Sequence, residues 1–550
     1  MNSALQSAVW AFINQNMTTE ELKAIQQVWN VFDVVQKETA ATVERMDGKE
    51  PEWVDKEGVT LIRPDGTKVE LKGGYYPIRY DRRASHAPAI NDISDAMEGI
   101  SVFANGGPND GHIKARVRDV PTDMYLTLTD RALYEGLGAQ IHYVAWAETM
   151  HEFVRLFDPQ SQLTKTIRDY WGKESVDYIH QWMKQIALDG RPQGNAGGWN
   201  EGASWLRQGG SIAGVGGNLV TAAVQIVGFT QTIAHVGAGY ALKALCKYLF
   251  SGGPLGLGSE NTFVHANSVM MQNRARTRFR ELRELHAKVG GRYTNWHKKT
   301  MQVAYWPIGY MQSVVDDATW LAAYDKAIDQ GVEHDMAIKE ADRAVLETQG
   351  SGRLSNLAKV ERGDEWLKLF TVFYTFFNST LNLLALSGYQ KDKVAFARDI
   401  FVIALLQPII EGFMREAIKD AGGTDDDTPW WQRASDPAYM ASKVINFNMN
   451  YFVFMRDMAG VSDLLTGRRV QASYPGGLRK LTDVMNLANE LPKIAEGDWD
   501  INTTRKMVRA LGPILQMPVV PIDRILSGFE ANDKGEANAG ILSYVFGYSH

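Results

Sequence analysis

The sequence predicts a mainly α fold: a multi-subdomain, elongated helical protein with one small β-hairpin insertion near residues 58–80. Three observations carry this. Apolar residues recur at helical spacing from Tyr134 to Phe157, Leu163 to Ala187, Met301 to Ile328 and Met336 to Val345. Only one stretch, Val59 to Leu71, has the pattern of strand, turn and strand. The composition, 45% hydrophobic and 22% charged, is that of a chain that folds rather than one that stays disordered.

Taken in order, residues 1 to about 48 form a helical segment, with Thr18-Thr19-Glu20-Glu21-Leu22 resembling a helix start. A hydroxyl there caps free backbone N–H groups, and a glutamate three residues on favours the same end. Val59-Thr60-Leu61-Ile62 and Thr67-Lys68-Val69-Glu70-Leu71 flank Arg63-Pro64-Asp65-Gly66, and Asp-Gly supplies the turn dihedrals a hairpin needs. From Asn91 onward the pattern is mostly helical. Shifts of composition divide the chain into 1–50 (N-terminal helical segment), 51–90 (hairpin and the line beginning Gly73-Gly74), 91–207 (helical), 208–258 (apolar and glycine-rich), 259–360 (helical, with a basic cluster), 361–420 (aromatic and apolar helices) and 421–550 (C-terminal helices).

A net charge of −6 over 550 residues gives no global field toward nucleic acid or an anionic bilayer, so any such contact is local. Cys246 is the single cysteine, which excludes an intramolecular disulfide, a thiolate cluster and C-x-x-C redox chemistry. In its apolar helical stretch it is expected as a small buried hydrophobe rather than a nucleophile. The opening line Met1-Asn2-Ser3-Ala4-Leu5-Gln6 has none of the basic, apolar and small-residue parts of a secretory signal.

Two stretches carry no formal charge over unusual lengths. Gln208 to Leu242 is 35 residues long, well beyond the ~20 that cross a bilayer. Within it Gly210 and Gly214 have the spacing that lets helices approach closely, and Val220, Ile226 and Phe229 are candidates for a membrane or oligomer interface. Leu369 to Gln390 adds Phe370, Phe373, Phe376 and Phe377, but Asn378, Ser379, Thr380 and Asn382 make it a poor lipid anchor. Ile400 to Ile410, with Pro408 inside, is too short to span and predicts a kinked core or interfacial helix. Both burial in a helical core and conditional insertion into lipid fit these runs, as do glycine hinges at Gly209-Gly210 and Gly252-Gly253.

No catalytic constellation stands out, and no metal or cofactor is expected. His142, Glu148, His151 and Glu152 are the nearest to a metal set, but their spacing is not H-E-x-x-H, and no second Glu-x-x-His copy matches Glu148 and His151. There is no G-x-S-x-G elbow or Walker loop, and Gly214-Val215-Gly216-Gly217 lacks the lysine and hydroxyl that hold phosphate. Arg274, Arg276, Arg278, Arg280 and Arg283 form the densest basic cluster. It is either solvated and paired with Glu281 and Glu284, or a contact for DNA backbone or acidic lipid phosphates. Asp425-Asp426-Asp427 is its acidic counterpart, a solvated loop or the lining of a negative lumen.

Gly73-Gly74-Tyr75-Tyr76-Pro77-Ile78-Arg79-Tyr80-Asp81 has a plain reading as glycine turns with aromatics packed onto helices. The same line, after a hairpin and before a long helical region, resembles part of the very large internal virion proteins of tailed bacteriophages and related polyvalent proteins. Trp366-Leu367-Lys368-Leu369-Phe370-Thr371-Val372-Phe373-Tyr374-Thr375-Phe376-Phe377-Asn378 is similar to an aromatic helix of those proteins. Together the likeness covers most of residues 55–420.

The resemblance implies a non-enzymatic ejection protein, stored in the capsid near the portal of a short-tailed phage and expelled into the host envelope, periplasm or membranes. There it implies a homo-oligomeric ring or tube for viral double-stranded DNA, with other ejection proteins, portal or tail proteins and the membrane as partners. Nothing resembles the wall-cutting domain of some relatives. Three other readings stand beside it. One is a virion core protein that is never ejected. Another is a hydrolase built from Glu148, His151 and Asp158, and the last is a non-phage membrane-associated helical protein.

Overall fold

The structure is a computed structural model that describes residues 3–49, 53, 58–76, 131–187, 198–253, 258–277, 295–352, 356–362, 368, 371, 374–390, 393–424, 426–452, 500–515, 517–536 and 540–548. It is mainly α, with one two-stranded antiparallel hairpin among the described residues. The chain divides into two compact units, Met1–Ala196 and Gly197–His550.

The first unit begins with α1 (Ser3–Asn16) and α2 (Thr19–Asp47). Thr18 caps α2 as the sequence predicts: its Oγ1 accepts the Glu21 N–H at 3.2 Å, and Glu21 Oε2 accepts the Thr18 N–H at 2.7 Å. Next come β1 (Val59–Ile62) and β2 (Lys68–Leu71), paired Val59 with Leu71 through Ile62 with Lys68, around Gly66 at φ 82°. Period-two alternation buries Leu61, Val69 and Leu71 against Leu22 of α2, with Trp10 and Ile13 of α1 closing the cluster. Gly74 packs on Trp29, where a Cβ would stand 2.4 Å from the Trp29 Cβ, so only glycine fits. Tyr75 meets Phe32 edge to face with ring centres 5.5 Å apart.

A second core joins α2 to α3 (Arg131–Leu156) and α5 (Lys173–Ala187) through Val43, Tyr143, Ala147, Met150, Met183 and Ile186. The predicted helical stretch Leu163 to Ala187 is two helices. α4 (Gln162–Trp171) stops at Gly172, whose φ of 84° no right-handed helix accepts.

In the second unit, α6 (Gly198–Val215) leads through a glycine turn to α7 (Leu219–Val224), a 3₁₀ turn (Gln225–Gly228), α8 (Phe229–Val236) and α9 (Ala238–Phe250). The short helices α10 (Ser259–Asn267) and α11 (Val269–Thr277) precede the 35-residue α12 (Asn295–Asp329) and α13 (His334–Thr348). From Val314 to Leu321 most of α12 is buried, with Trp320 fully enclosed in the largest core with Ala244, Tyr248, Met271 and Val345. Pro307 lies inside α12, where its ring disturbs the turn before it. The Ala304 carbonyl in that turn accepts the Gly217 N–H at 2.7 Å. Gly216 has no room for a side chain there, since a Cβ would stand 2.4 Å from the Ile212 oxygen.

Further on, α14 (Tyr374–Gln390), α15 (Lys393–Ile400), a π turn (Phe401–Leu406) and α16 (Gln407–Gly422) are followed by α17 (Trp430–Ser435) and α18 (Pro437–Met449). Where the sequence predicts a kink, a π turn ends at Leu406, and Pro408 lies in the first turn of α16. Pro408 has no N–H to return to the Ala404 carbonyl four residues earlier, and the Asn448 side chain of α18 donates to it instead at 2.9 Å. The chain closes on α19 (Ile501–Leu515), α20 (Val519–Asp533) and α21 (Ser543–Phe546). Arg505 bridges Asp523 (3.0 Å) and Glu530 (2.6 Å) across the α19–α20 hairpin, and Arg509 grips Asp523 with both Nε and Nη2. Burial pushes the Glu530 carboxyl up, but hydrogen bonds from Lys534 and Arg505 outweigh it and hold the carboxyl below its usual range.

Asn448→Ala should cost about 1–2 kcal/mol in denaturant unfolding, and the cost should shrink in a Pro408→Ala background, which restores an N–H to Ala404; equal costs in both backgrounds would show that the bond does not matter. Because the Glu530 pKa is lower folded than unfolded, its stabilisation is present above the ordinary glutamate range and is lost as pH falls through the folded value. The second unit should therefore weaken below about pH 4.5, the ordinary glutamate value, and Glu530→Gln should flatten that part of the pH–stability curve.

Candidate functional site

Three features that the sequence marks separately meet in one buried polar seam of the second unit: the long uncharged run, the aromatic run and the basic cluster. Thr232 on α8 shares a hydrogen bond with Thr319 of α12 at 2.6 Å. Its neighbour Gln231 donates to Thr380 of α14 at 2.8 Å. Gln349, just past α13, donates to Thr232 at 3.4 Å and accepts from Gln312 at 3.1 Å. Gln312 also donates to Asp316 at 3.1 Å. Asp316 accepts Arg274 Nε at 3.0 Å, and the same guanidinium donates to the Gly350 carbonyl at 2.9 Å.

This seam is enclosed. Asp316 is 0% and Arg274 1% exposed, and Thr232, Thr319 and Thr380 are fully buried. A charge in such surroundings persists only when paired and hydrogen-bonded, and Arg274 and Asp316 supply each other's countercharge. Two further carboxylates of the same core have neutral donors. Asp317 accepts Tyr248 Oη and Asn261 Nδ2, each at 2.9 Å, and Asp342 accepts Trp320 Nε1 at 2.7 Å and Ser268 Oγ at 2.5 Å. Burial, and then the Asp317 carboxylate, push the Tyr248 phenol far above its ordinary value.

The first member of the basic cluster is enclosed in this seam. Arg274 is inside the protein and salt-bridged, so it offers no fork to a phosphate in this structure. Only the backbone of Arg276 is described, and Arg278, Arg280 and Arg283 lie outside the described residues.

The run from Gln208 to Leu242 is not one straight helix. It is interrupted at Gly216–Asn218, at the 3₁₀ turn and at Gly237 with φ 108°. Leu219–Val236 is long and apolar enough to cross a membrane, and half of it is buried in the protein. Of the proposed interface residues, Gly210 and Phe229 are buried, while Gly214, Val220 and Ile226 are half-buried. Gly209 and Gly210, expected as a hinge, lie within α6, whereas Gly252 does form a turn, with φ 80°. Phe376 packs against Gly228, so the two uncharged runs touch. Phe377 is buried in an aromatic cluster with Tyr374, Phe447 and Tyr451. Phe370 and Phe373 lie outside the described residues, as do Pro77 to Asp81 of the Gly73-Gly74-Tyr75-Tyr76 line.

Cys246 is exposed, contrary to expectation, because α9 turns Ala241, Ala244 and Tyr248 inward and presents the intervening position to solvent. Glu148 pairs with Arg45 at 2.5 Å, Asp158 accepts the Gln160 N–H of a turn at 2.8 Å, and His142 bonds the Ile186 carbonyl at 2.6 Å. Among the described residues no three His, Cys, Asp or Glu side chains come together as a metal site. In the acidic loop, Arg433 donates to the Asp426 and Thr428 carbonyls, and Asp426 accepts the Thr428 N–H at 2.9 Å. Asp425 lies outside the described residues, and Asp427 is exposed.

Compared with protein-family models, curated proteins and solved structures, the chain matches none.

Arg274→Met should destabilise the second unit by about 3–5 kcal/mol, the cost of leaving a buried carboxylate without its countercharge. Asp316→Leu should do the same from the other side, and the double variant should recover much of the loss in thermal or denaturant unfolding. Purely additive losses would show that the two groups do not depend on each other.

Proposed function

We propose that this protein is an internal virion protein of a short-tailed bacteriophage, stored near the portal and expelled into the host envelope, where copies assemble into part of a passage for viral DNA. The observation that carries the reading is the pair of sequence lines, Gly73 to Asp81 and Trp366 to Asn378. It is supported by the packing of α14, which continues the second line, against the membrane-length run at Gly228. A protein that is carried in one compartment and used in another needs its apolar run covered in transit, and a half-buried run is suited to that. The absence of disulfides suits passage through a narrow opening. Its proposed partners are further copies of itself, other ejection and portal proteins, duplex DNA held without sequence preference, and the host membrane.

A second reading is favoured by one observation. Gln231 and Thr232 sit inside the membrane-length run with their side chains hydrogen-bonded to Thr380 and Thr319 of other helices. Lipid offers no such partners, which suits a core protein that stays in the virion. Infection with particles carrying a labelled copy separates the two. Recovery of the label in a carbonate-resistant membrane fraction is the expected outcome; retention in the emptied particle would replace the ejection reading with the core-protein one.

A further inference from the structure

Asp317, in the second half of α12, is the point at which α9, α10 and α12 are tied together, and only 1% of its side chain is exposed. Its Oδ2 accepts Tyr248 Oη from α9 and Asn261 Nδ2 from α10, each at 2.9 Å. Its Oδ1 is enclosed and accepts no hydrogen bond among the described residues. His265, one helical turn beyond Asn261 on the same face of α10, places Nε2 3.5 Å from that oxygen.

The neighbouring carboxylate Asp316 has a guanidinium against it, whereas both hydrogen bonds to Asp317 come from neutral donors. A buried carboxylate so placed lacks a full countercharge. Neutral imidazole brings Oδ1 no more than a dipole, but imidazolium brings a positive charge and an N–H donor together. The His265 side chain is 37% exposed, so its charged form keeps part of its hydration and the cost of desolvating it stays small beside the attraction.

The charged groups of the elements packed against α10 are engaged elsewhere. Lys247 of α9 bonds Glu260 of α10 at 3.0 Å, and Arg274 of α11 bonds Asp316 of α12. Asp325 of α12 faces Lys247 and Lys243 of α9. Burial and the Asp317 carboxylate keep the Tyr248 phenol protonated far above neutral pH.

We propose that His265 is a pH-sensitive latch, whose proton supplies the countercharge for Asp317 and clamps α10 onto α12, and whose deprotonation toward alkaline pH loosens α10. Because pairing raises the folded-state pKa of His265 above the ~6.5 of an unfolded chain, the clamp is at full strength below that value and is lost as pH rises through the folded one. Asn261 holds α10 by a bond that does not titrate, so the helix loosens without leaving. The inference does not depend on the virion reading.

NMR titration of the histidine rings in the full chain, with His265→Gln identifying the signal, tests the latch together with hydrogen exchange across residues 259–267. His265 should titrate about one unit or more above ~6.5, and protection of α10, corrected for the intrinsic pH dependence of exchange, should fall about tenfold between acidic and alkaline pH, the equivalent of one unit. His265→Gln alters a partly exposed side chain, and with circular dichroism unchanged it should abolish that pH dependence. His265→Lys, charged throughout the range, should hold the protection at its acidic level. Asp317→Asn should return the His265 titration to its ordinary value and leave those of His235 and His334 where they are; should this variant fail to fold, the two His265 variants decide. Titration of His265 at or below ~6.5, protection of α10 that does not change with pH, or a pH dependence that survives in His265→Gln overturns the proposal.

Discussion

The buried pair of Arg274 and Asp316 is the constraint around which the second unit is arranged. Neither charge can be left alone at that depth, so α11, which carries Arg274, must dock on α12, which carries Asp316. The rest of the seam extends the same requirement. Gln312 and Gln349 are buried, and the Gln312 amide donates to the Gln349 oxygen while the Gln349 amide donates onward to Thr232. Apolar faces alone tolerate sliding by a turn of helix, whereas a chain of matched donors and acceptors has one register. The seam thus fixes how α8, α11, α12 and the end of α13 meet, while Trp320 and the alanines around it form the apolar core beside it.

The parts of the fold that were legible in the sequence are those whose partners lie a few residues apart. Thr18 and Glu21 cap α2 across three residues, and Asp65-Gly66 turns the hairpin with the bonds that such a turn closes on itself. What was not legible depends on distant partners. Nothing around Arg274 marks it as different from Arg276, and its burial comes from a carboxylate 42 residues on. Cys246 has the neighbours of a core residue, yet the helix face chosen by Ala241 and Ala244 turns it out. The break at Gly172 had a local signal in the glycine itself, but the apolar period runs through it.

The candidate site shows the same division. The uncharged run, the aromatic run and the basic cluster each stood out by composition, but that they share one polar interior is a tertiary fact carried by Thr232, Thr380 and Arg274. Mean hydropathy along Leu219–Val236 masks Thr230, Gln231 and Thr232, because the surrounding valines and isoleucines outnumber them in the average. Gln231 and Thr232, bonded to Thr380 and Thr319, are what tie the run to the surrounding helices, whereas Thr230 bonds the Val227 carbonyl within the run.

The bond from Asn448 to the Ala404 carbonyl has a consequence for the order in which the chain is assembled. The acceptor is exposed as soon as the segment containing Pro408 coils, but its donor lies 44 residues downstream. As the chain grows from its N-terminal end, α15, the π turn and α16 leave that carbonyl to water until α18 has been made and has come back to meet it. The turn is therefore a late joint, finished by a long loop closure rather than by local winding.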